Sequence, residues 1–367
     1  MSDRVARALV LESPRTLAAR EFALPTIGRD DALLRVEACG LCGTDHEQYT
    51  GELHPGYAFV PGHETIGIVA AIGADAQARW GVREGDRIAV EVFLSCSECD
   101  ACRAGEYRRC ARHGIRDMYG FVPADRAPGL WGGYADYQYL APDSLVLPVP
   151  AGLDPIVATV FNPLGAGIRW AVTVPGTRPG DVVAVLGPGI RGLSACAAAK
   201  EAGAGFVMVT GYGERDAERL AVASQFGADL AIDVAVDDPV RALRNATGGT
   251  LADVVVDVTA KAPAALGQAV ALARAGGTVV IAGTRGSAET PGFSSDTVVF
   301  KELRLIGALG VDAPAYRAAL DLLASKKYPF ATLSREVVGL DGADALLRSM
   351  AGDGPPPPVH GVICPAQ

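Results

Sequence analysis

Short apolar runs broken by glycine and proline fill roughly the first 155 residues. ALLRVEAC, TIGIVAAIG, DRIAVEVF and YADYQYL, beginning at Ala32, Thr65, Asp86 and Tyr134, have strand length and end in turn residues. Few long amphipathic helices interrupt them, so this half is predicted to be mainly β, a barrel or sandwich with long loops. Near Asp154 the pattern changes. Apolar runs at Val182–Leu186, Phe206–Thr210, Leu230–Asp233, Val254–Val258, Thr278–Ala282 and Leu303–Gly307 alternate with alanine-rich stretches such as GLSACAAAKEAG and PAALGQAVALARAG. Near-continuous apolar strands alternating with helices predict a doubly wound parallel sheet covered on both faces. The fold class is therefore α/β, with a second, mainly-β domain. Tyr316–Ser325 and Ala343–Met350 read as helices, Pro355–Pro358 as a stiff linker, and VHGVICP as a terminal strand that returns to the N-terminal domain. The expected division is residues 1–156 with 311–367 for the mainly-β domain, and 157–310 for the parallel-sheet domain.

Composition narrows the partners. The chain has 367 residues, 49% of them hydrophobic and 20% charged, with a net charge of −9. There is no basic stripe, which speaks against nucleic acid and anionic membrane. No apolar stretch reaches the ~18 residues of a membrane span, and the N-terminus lacks a secretory pattern. A cytoplasmic protein with reduced thiols is expected, acting on small molecules.

Reduced thiols make the cysteine pattern informative. Cys96, Cys99, Cys102 and Cys110 follow C-x2-C-x2-C-x7-C spacing. Four thiolates in one short loop can close a tetrahedral shell around Zn²⁺, and a closed shell is structural. The loop also carries Glu98, Asp100, Arg103, Glu106, Arg108 and Arg109 and cannot bury a core, so the metal supplies its folding energy.

A second motif lies at the start of the parallel-sheet domain. Gly187, Gly189 and Gly192 form G-x-G-x-x-G directly after an apolar strand and at the opening of a helix. That context points to a dinucleotide. The glycines allow a tight turn, approach of the pyrophosphate to the backbone, and close helix–strand packing. The helix start, including Ile190 and Arg191, offers free N–H groups to the phosphates. The second strand ends at Thr210-Gly211 without an acid. Glu214 or Asp216 from the next loop would favour NAD, whereas Arg215 would meet the 2′-phosphate of NADP; the two cofactors stay open.

GLCGTDHE and VPGHETIG supply the remaining chemistry. Cys42 and His63 are good zinc ligands, and a catalytic zinc needs a third from elsewhere plus an open position. Asp45 is a suitable partner for the second nitrogen of His63, and Thr44 offers a hydroxyl for a proton relay.

Taken together and in this order, CGTD, GHE, the four-cysteine loop and the glycine motif resemble the zinc-containing medium-chain dehydrogenase/reductase family, nearest its alcohol and sorbitol dehydrogenase branches. The resemblance covers nearly the whole chain. It implies a GroES-like catalytic domain, a Rossmann domain, an active site in the cleft between them, and a homodimer or homotetramer. It implies two zinc ions per chain: a catalytic one on Cys42 and His63, with Glu64 an acid close to it, and a structural one on the four cysteines. The expected reaction interconverts a secondary alcohol or polyol and its carbonyl by hydride transfer with NAD or NADP. The alternatives are a reductase of activated double bonds or quinones without catalytic metal, and a cofactor-binding protein without turnover. Two departures from the family pattern stand out. Asn162, in FNPLGAG, occupies the place of an acidic or cysteine third ligand, so either it or Glu64 completes the shell. Glu47 replaces a histidine on the usual proton exit.

Overall fold

In the computed structural model, which describes residues 5–286 and 288–367, the alternating runs of the N-terminal half become antiparallel strands. The strands are β1 (Val5–Ser13), β2 (Thr16–Ala23), β3 (Ala32–Leu41), β4 (Glu64–Ile72), β5 (Arg87–Val90), β6 (Tyr137–Leu140), β7 (Val146–Pro148), β8 (Val182–Leu186), β9 (Phe206–Gly211), β10 (Leu230–Asp233), β11 (Ala252–Asp257), β12 (Ala273–Ile281), β13 (Arg304–Gly307), β14 (Arg335–Val338) and β15 (His360–Ile363). The chain divides into two units.

The first unit holds the chain up to Phe161 together with Asp312–Ser325 and Phe330–Gln367. Its main sheet runs β14-β15-β3-β4-β5-β7, with β6 against β3. The C-terminal strand β15 pairs antiparallel with β3 and parallel with β14, so the C-terminal segment completes a sheet begun at Ala32. Leu9, Leu11, Leu41, Tyr49 and Phe59 from the N-terminal half pack with Leu340, Leu346 and Ile363 from the C-terminal segment. Each such apolar side chain contributes about 1.5–3 kcal/mol on burial. The hairpin β1–β2 forms a separate two-stranded sheet that the sequence reading did not pick out. Its turn contains Pro14 and puts Arg15 in the left-handed region at φ 61°. No glycine or asparagine marks that position, so the usual turn signal is missing.

The second unit spans Asn162–Val311 with Lys326–Pro329. Its six parallel strands run β10-β9-β8-β11-β12-β13. Val183, Ala184 and Val185 are all fully buried, as a strand covered on both faces requires. Strand order reverses between β8 and β11, the switch point at which such sheets bind ligands. Helix Ala265–Leu272 is shorter than the alanine-rich run suggested, because the chain turns into β12 at Ala273. Among the described residues no helix is long and apolar enough to cross a membrane.

Candidate active site

Cys42 lies between β3 and the helix Gly43–Thr50 and serves as that helix's N-cap. Asp45, at the third helical position, accepts the Cys42 N–H through Oδ2 at 2.8 Å. This reciprocal cap puts a thiol where serine or threonine usually stands. His63 enters from the loop before β4. Gly62, just ahead of it, has φ 93°, and a Cβ there would come within 2.5 Å of the Tyr134 ring. Only glycine fits that turn.

The sheet thus brings Cys42 Sγ to 3.2 Å from His63 Nε2. A tetrahedral zinc would separate such a sulfur and nitrogen by about 3.6 Å, so the pair suits a shared Zn²⁺. Ligand atoms of Cys42, Asp45 and His63 all lie within 4.8 Å of one another, and all three residues are buried. Asp45 is the orienting member. Its Oδ2 holds the Cys42 amide, its Oδ1 accepts from Tyr134 at 3.0 Å, and the same oxygen faces His63 Nδ1 at 3.8 Å. With Nδ1 turned to the carboxylate, Nε2 is left for a metal. Thr44 is partly buried on the first helical turn. Glu64 is fully buried at the first position of β4, and Glu47 is buried as well. His46 donates from Nδ1 to the Gly43 carbonyl at 2.6 Å. Asn162 is buried on the first turn of helix Phe161–Ile168 and belongs to the second unit.

The four lobe cysteines also converge, with their sulfurs within 4.8 Å of one another. Cys96 and Cys102 stand 3.8 Å apart, which equals the edge of about 3.8 Å for a tetrahedron with Zn–S near 2.3 Å. Burial pushes the Cys110 thiol up, but backbone N–H groups, including those of His113 and Arg112, outweigh it and bring the thiol down to about 6. Such donors favour the thiolate a metal needs. Tyr107, inside the lobe, donates its hydroxyl to Glu91 at 2.6 Å, and Arg108 approaches Asp312 at 3.8 Å. His113 stands between Asp143 at 2.7 Å and Asp117 at 3.1 Å. Sequence reading missed Glu91 and the His113–Asp143 pair. Their partners lie 16 and 30 positions away, and no local spacing reveals them.

In the second unit the three glycines have three distinct reasons. Gly187 has φ 99°, and its N–H reaches the Thr210 carbonyl at 3.0 Å, which ties the turn to β9. A Cβ on Gly192 would lie 1.8 Å from the Gly187 carbonyl oxygen, whereas one on Gly189 would meet nothing within 4 Å. Gly189 therefore leaves open backbone, and among the described residues no side chain caps the helix Ile190–Glu201 that follows. Open backbone beside uncapped N–H groups suits a pyrophosphate. Arg191 lies over the Trp170 ring at 5.5 Å, and Thr210 is buried. Past β9, Asp216 accepts the Tyr212 N–H and an Arg219 N–H, each at 3.0 Å. Asp233 accepts the N–H groups of Gly213 and Ala235 at 2.8 and 2.9 Å. Arg215 stands out from the same loop with 83% of its side chain exposed.

Comparison with known proteins agrees with this architecture. Residues 28–151 match the alcohol dehydrogenase GroES-like domain, and residues 192–325 match the zinc-binding dehydrogenase domain. A protein of Mycobacterium tuberculosis named probable alcohol dehydrogenase is 72% identical over the full length of both chains. Sorbitol dehydrogenase of Bacillus subtilis is 31% identical over 87% of this chain and 86% of its own. The crystal structure of a zinc-binding dehydrogenase from Sinorhizobium meliloti 1021 bound to NADP superposes with a TM-score of 0.83. It is 29% identical, over 99% of this chain and 100% of that one. The chain belongs to the zinc-containing medium-chain dehydrogenase/reductase family and is an alcohol dehydrogenase of that family.

Proposed function

We propose that this enzyme interconverts a secondary alcohol or polyol and its carbonyl, depends on zinc at Cys42 and His63, and takes NADP in preference to NAD. The observation that carries the reading is the buried Cys42–His63 pair at 3.2 Å with Asp45 behind it. Bound there, zinc supplies a Lewis acid that polarises the substrate oxygen. The chain's own groups do the rest. Asp45 fixes the imidazole. The Thr44 hydroxyl would accept the proton of the alcohol O–H while passing its own on towards solvent, and a bound nicotinamide would supply the hydride acceptor for the carbon-bound hydrogen. With one thiolate and one neutral imidazole as protein ligands, Zn²⁺ would keep a net charge of +1, and the buried carboxylate of Glu64, the residue directly after His63, would offset it. A second zinc in the cysteine lobe is structural. The sorbitol-named relative supports the polyol class.

The cofactor preference rests on the loop after β9. Asp216 and Asp233 commit oxygens to backbone N–H groups, while Arg215, mostly exposed and only 4.0 Å from Asp216 through Nε, offers its guanidinium to a 2′-phosphate. Exposed Val299, Phe300 and Leu309 flank the edge strand β13, which supports pairing with a second copy into a homodimer or tetramer.

The test is metal content together with turnover. Two zinc ions per chain are expected, and Cys42→Ala should lose one of them along with turnover while remaining folded. Full activity on secondary alcohols with a single zinc per chain would sink the reading. Arg215→Ala should lower the NADP-over-NAD ratio of kcat/KM by about tenfold or more, the value of a charge-assisted hydrogen bond.

A further inference from the structure

Sheet register places Arg335, His360 and Glu64 on neighbouring strands around Gly40. Arg335 on β14 pairs with His360 on β15, and Gly40 on β3 pairs with Val362 on one side and Glu64 of β4 on the other. A Cβ on Gly40 would stand 2.6 Å from Glu64 Oε2, 3.2 Å from His360 Nε2 and 3.2 Å from Thr159 Cβ. The missing side chain therefore opens a small gap that a carboxylate and an imidazole both enter. His360 is 1% exposed. Its Nδ1 accepts from Arg335 Nε at 3.1 Å, and Arg335 is itself anchored on the Phe330 carbonyl at 2.9 Å. A ring that accepts at Nδ1 is neutral and carries its one proton on Nε2. Burial, with the Arg335 charge behind it, also holds His360 down to about 3. That Nε2–H has no hydrogen-bond partner among the described residues. A buried donor left so costs about 1–3 kcal/mol, and the acceptor that shares its gap is Glu64.

We propose that His360 is a positioning residue for Glu64: its Nε2–H reaches across the gap over Gly40, directly or through one water, and fixes the carboxylate next to His63. Arg335 sets the tautomer, His360 presents the proton, and Gly40 keeps the space clear. Glu64 is the residue directly after His63, so its orientation sets both the charge beside the metal and the entry of β4. The proposal rests on the reading of Cys42 and His63 as zinc ligands.

Cobalt-substituted protein tests it, because the visible spectrum of Co²⁺ reports the ligand field independently of turnover. In His360→Leu the cobalt bands should shift, and kcat/KM should fall by about 10–100-fold, as when a partner of a ligand is removed. His360→Gln keeps an N–H in nearly the same place and should recover kcat/KM to within about threefold of wild type while restoring the spectrum. In a Glu64→Gln background, His360→Leu should add no further loss. Equal losses in the Leu and Gln variants would overturn the proposal. So would additive losses in the double variant, or a Leu variant with a lowered Tm and an unchanged spectrum. If wild type binds only one cobalt per chain, the zinc reading itself has failed. Two cobalts with a spectrum indifferent to His360 would overturn the His360 proposal alone.

Discussion

The lobe's four cysteines fall within one stretch between Cys96 and Cys110, whereas Cys42 follows β3 and His63 precedes β4, 21 positions apart in sequence and brought to the same end of an antiparallel pair. In the lobe, the intervening residues form a short helix, Asp100–Arg103, and a single turn, Tyr107–Arg109. Apart from Tyr107, few of these side chains reach a core. At the other cluster the surrounding fold holds the two candidate ligands. Cys42 is locked as an N-cap, Asp45 is held by the Cys42 amide and by Tyr134, and Gly62 sets the approach of His63. On the proposed reading, the lobe has little beside its metal to hold it together, while the Cys42–His63 pair is held by the surrounding fold. The same element should therefore act as a fold determinant at one site and a reagent at the other.

The lobe gives the largest expected effect. Zinc in such closed shells contributes about 10–16 kcal/mol to folding, comparable to the entire stability of a domain. Cys102→Ala should remove one zinc per chain and open the lobe. Limited proteolysis should then cut between Cys96 and Cys110, and the Tm should drop. A lobe that stays protease-resistant without its metal would erase the contrast. Cys42→Ala is the reverse case. The metal's electrostatic contribution of several kcal/mol is lost from the reaction, which at 1.36 kcal/mol per decade corresponds to about a thousandfold or more in kcat/KM. Its Tm should stay near that of wild type.

Between these lies the lobe's attachment to the sheet. Glu91 is fully buried, and burial raises its carboxyl to about 8 despite the Tyr107 hydroxyl and the Phe93 N–H that it accepts. The sign follows from linkage. An unfolded chain releases this proton near 4.5, while the folded protein keeps it up to about 8. Across that window the folded state binds more protons, so stability falls as pH rises, by up to about 1.36 kcal/mol per pH unit. Above the window the loss is complete and constant. Glu91→Gln mimics the protonated acid and should flatten the Tm profile between these pH values. An unchanged slope would mean that Glu91 titrates normally.

The same contrast explains what could be read in advance. The C-x2-C-x2-C-x7-C spacing carries its geometry in the sequence, because a loop that short allows few other ways to gather four sulfurs. The glycine motif was also legible, since Gly187, Gly189 and Gly192 each answer a local backbone demand. Strands Val182–Leu186 and Leu230–Asp233 match their apolar runs residue for residue. Cys42 and His63 were visible as residue types, but their meeting depends on the pairing of β3 with β4. The partnership of His360 with Arg335 depends on β15 joining a sheet begun more than 300 residues earlier, and no local pattern encodes it. Glu91 looked like one charge in a strand. Its burial becomes evident only once Tyr107 is folded over it.

Asp45→Asn gives the smallest effect and the sharpest view of the second cluster. An asparagine has a single acceptor oxygen, so it can keep either the Tyr134 hydroxyl or the Cys42 N–H but not both, and a loss of about 1 kcal/mol of helix stability is expected from the cap alone. What disappears is the negative charge facing His63 Nδ1 at 3.8 Å. A carboxylate behind a ligating imidazole raises its basicity and selects the tautomer that presents Nε2; losing such a partner costs about 10–100-fold in metal affinity or activity. The variant should therefore lose only a little Tm and keep its lobe zinc while releasing the other zinc faster to a chelator. If Asp45 acted only as a capping residue, chelator kinetics would match wild type and the change would appear as about 1 kcal/mol of helix stability. Faster release with no more than that small loss of stability would show that the Cys42–His63 site depends on the charge placed behind its imidazole, over and above the cap that Asp45 provides.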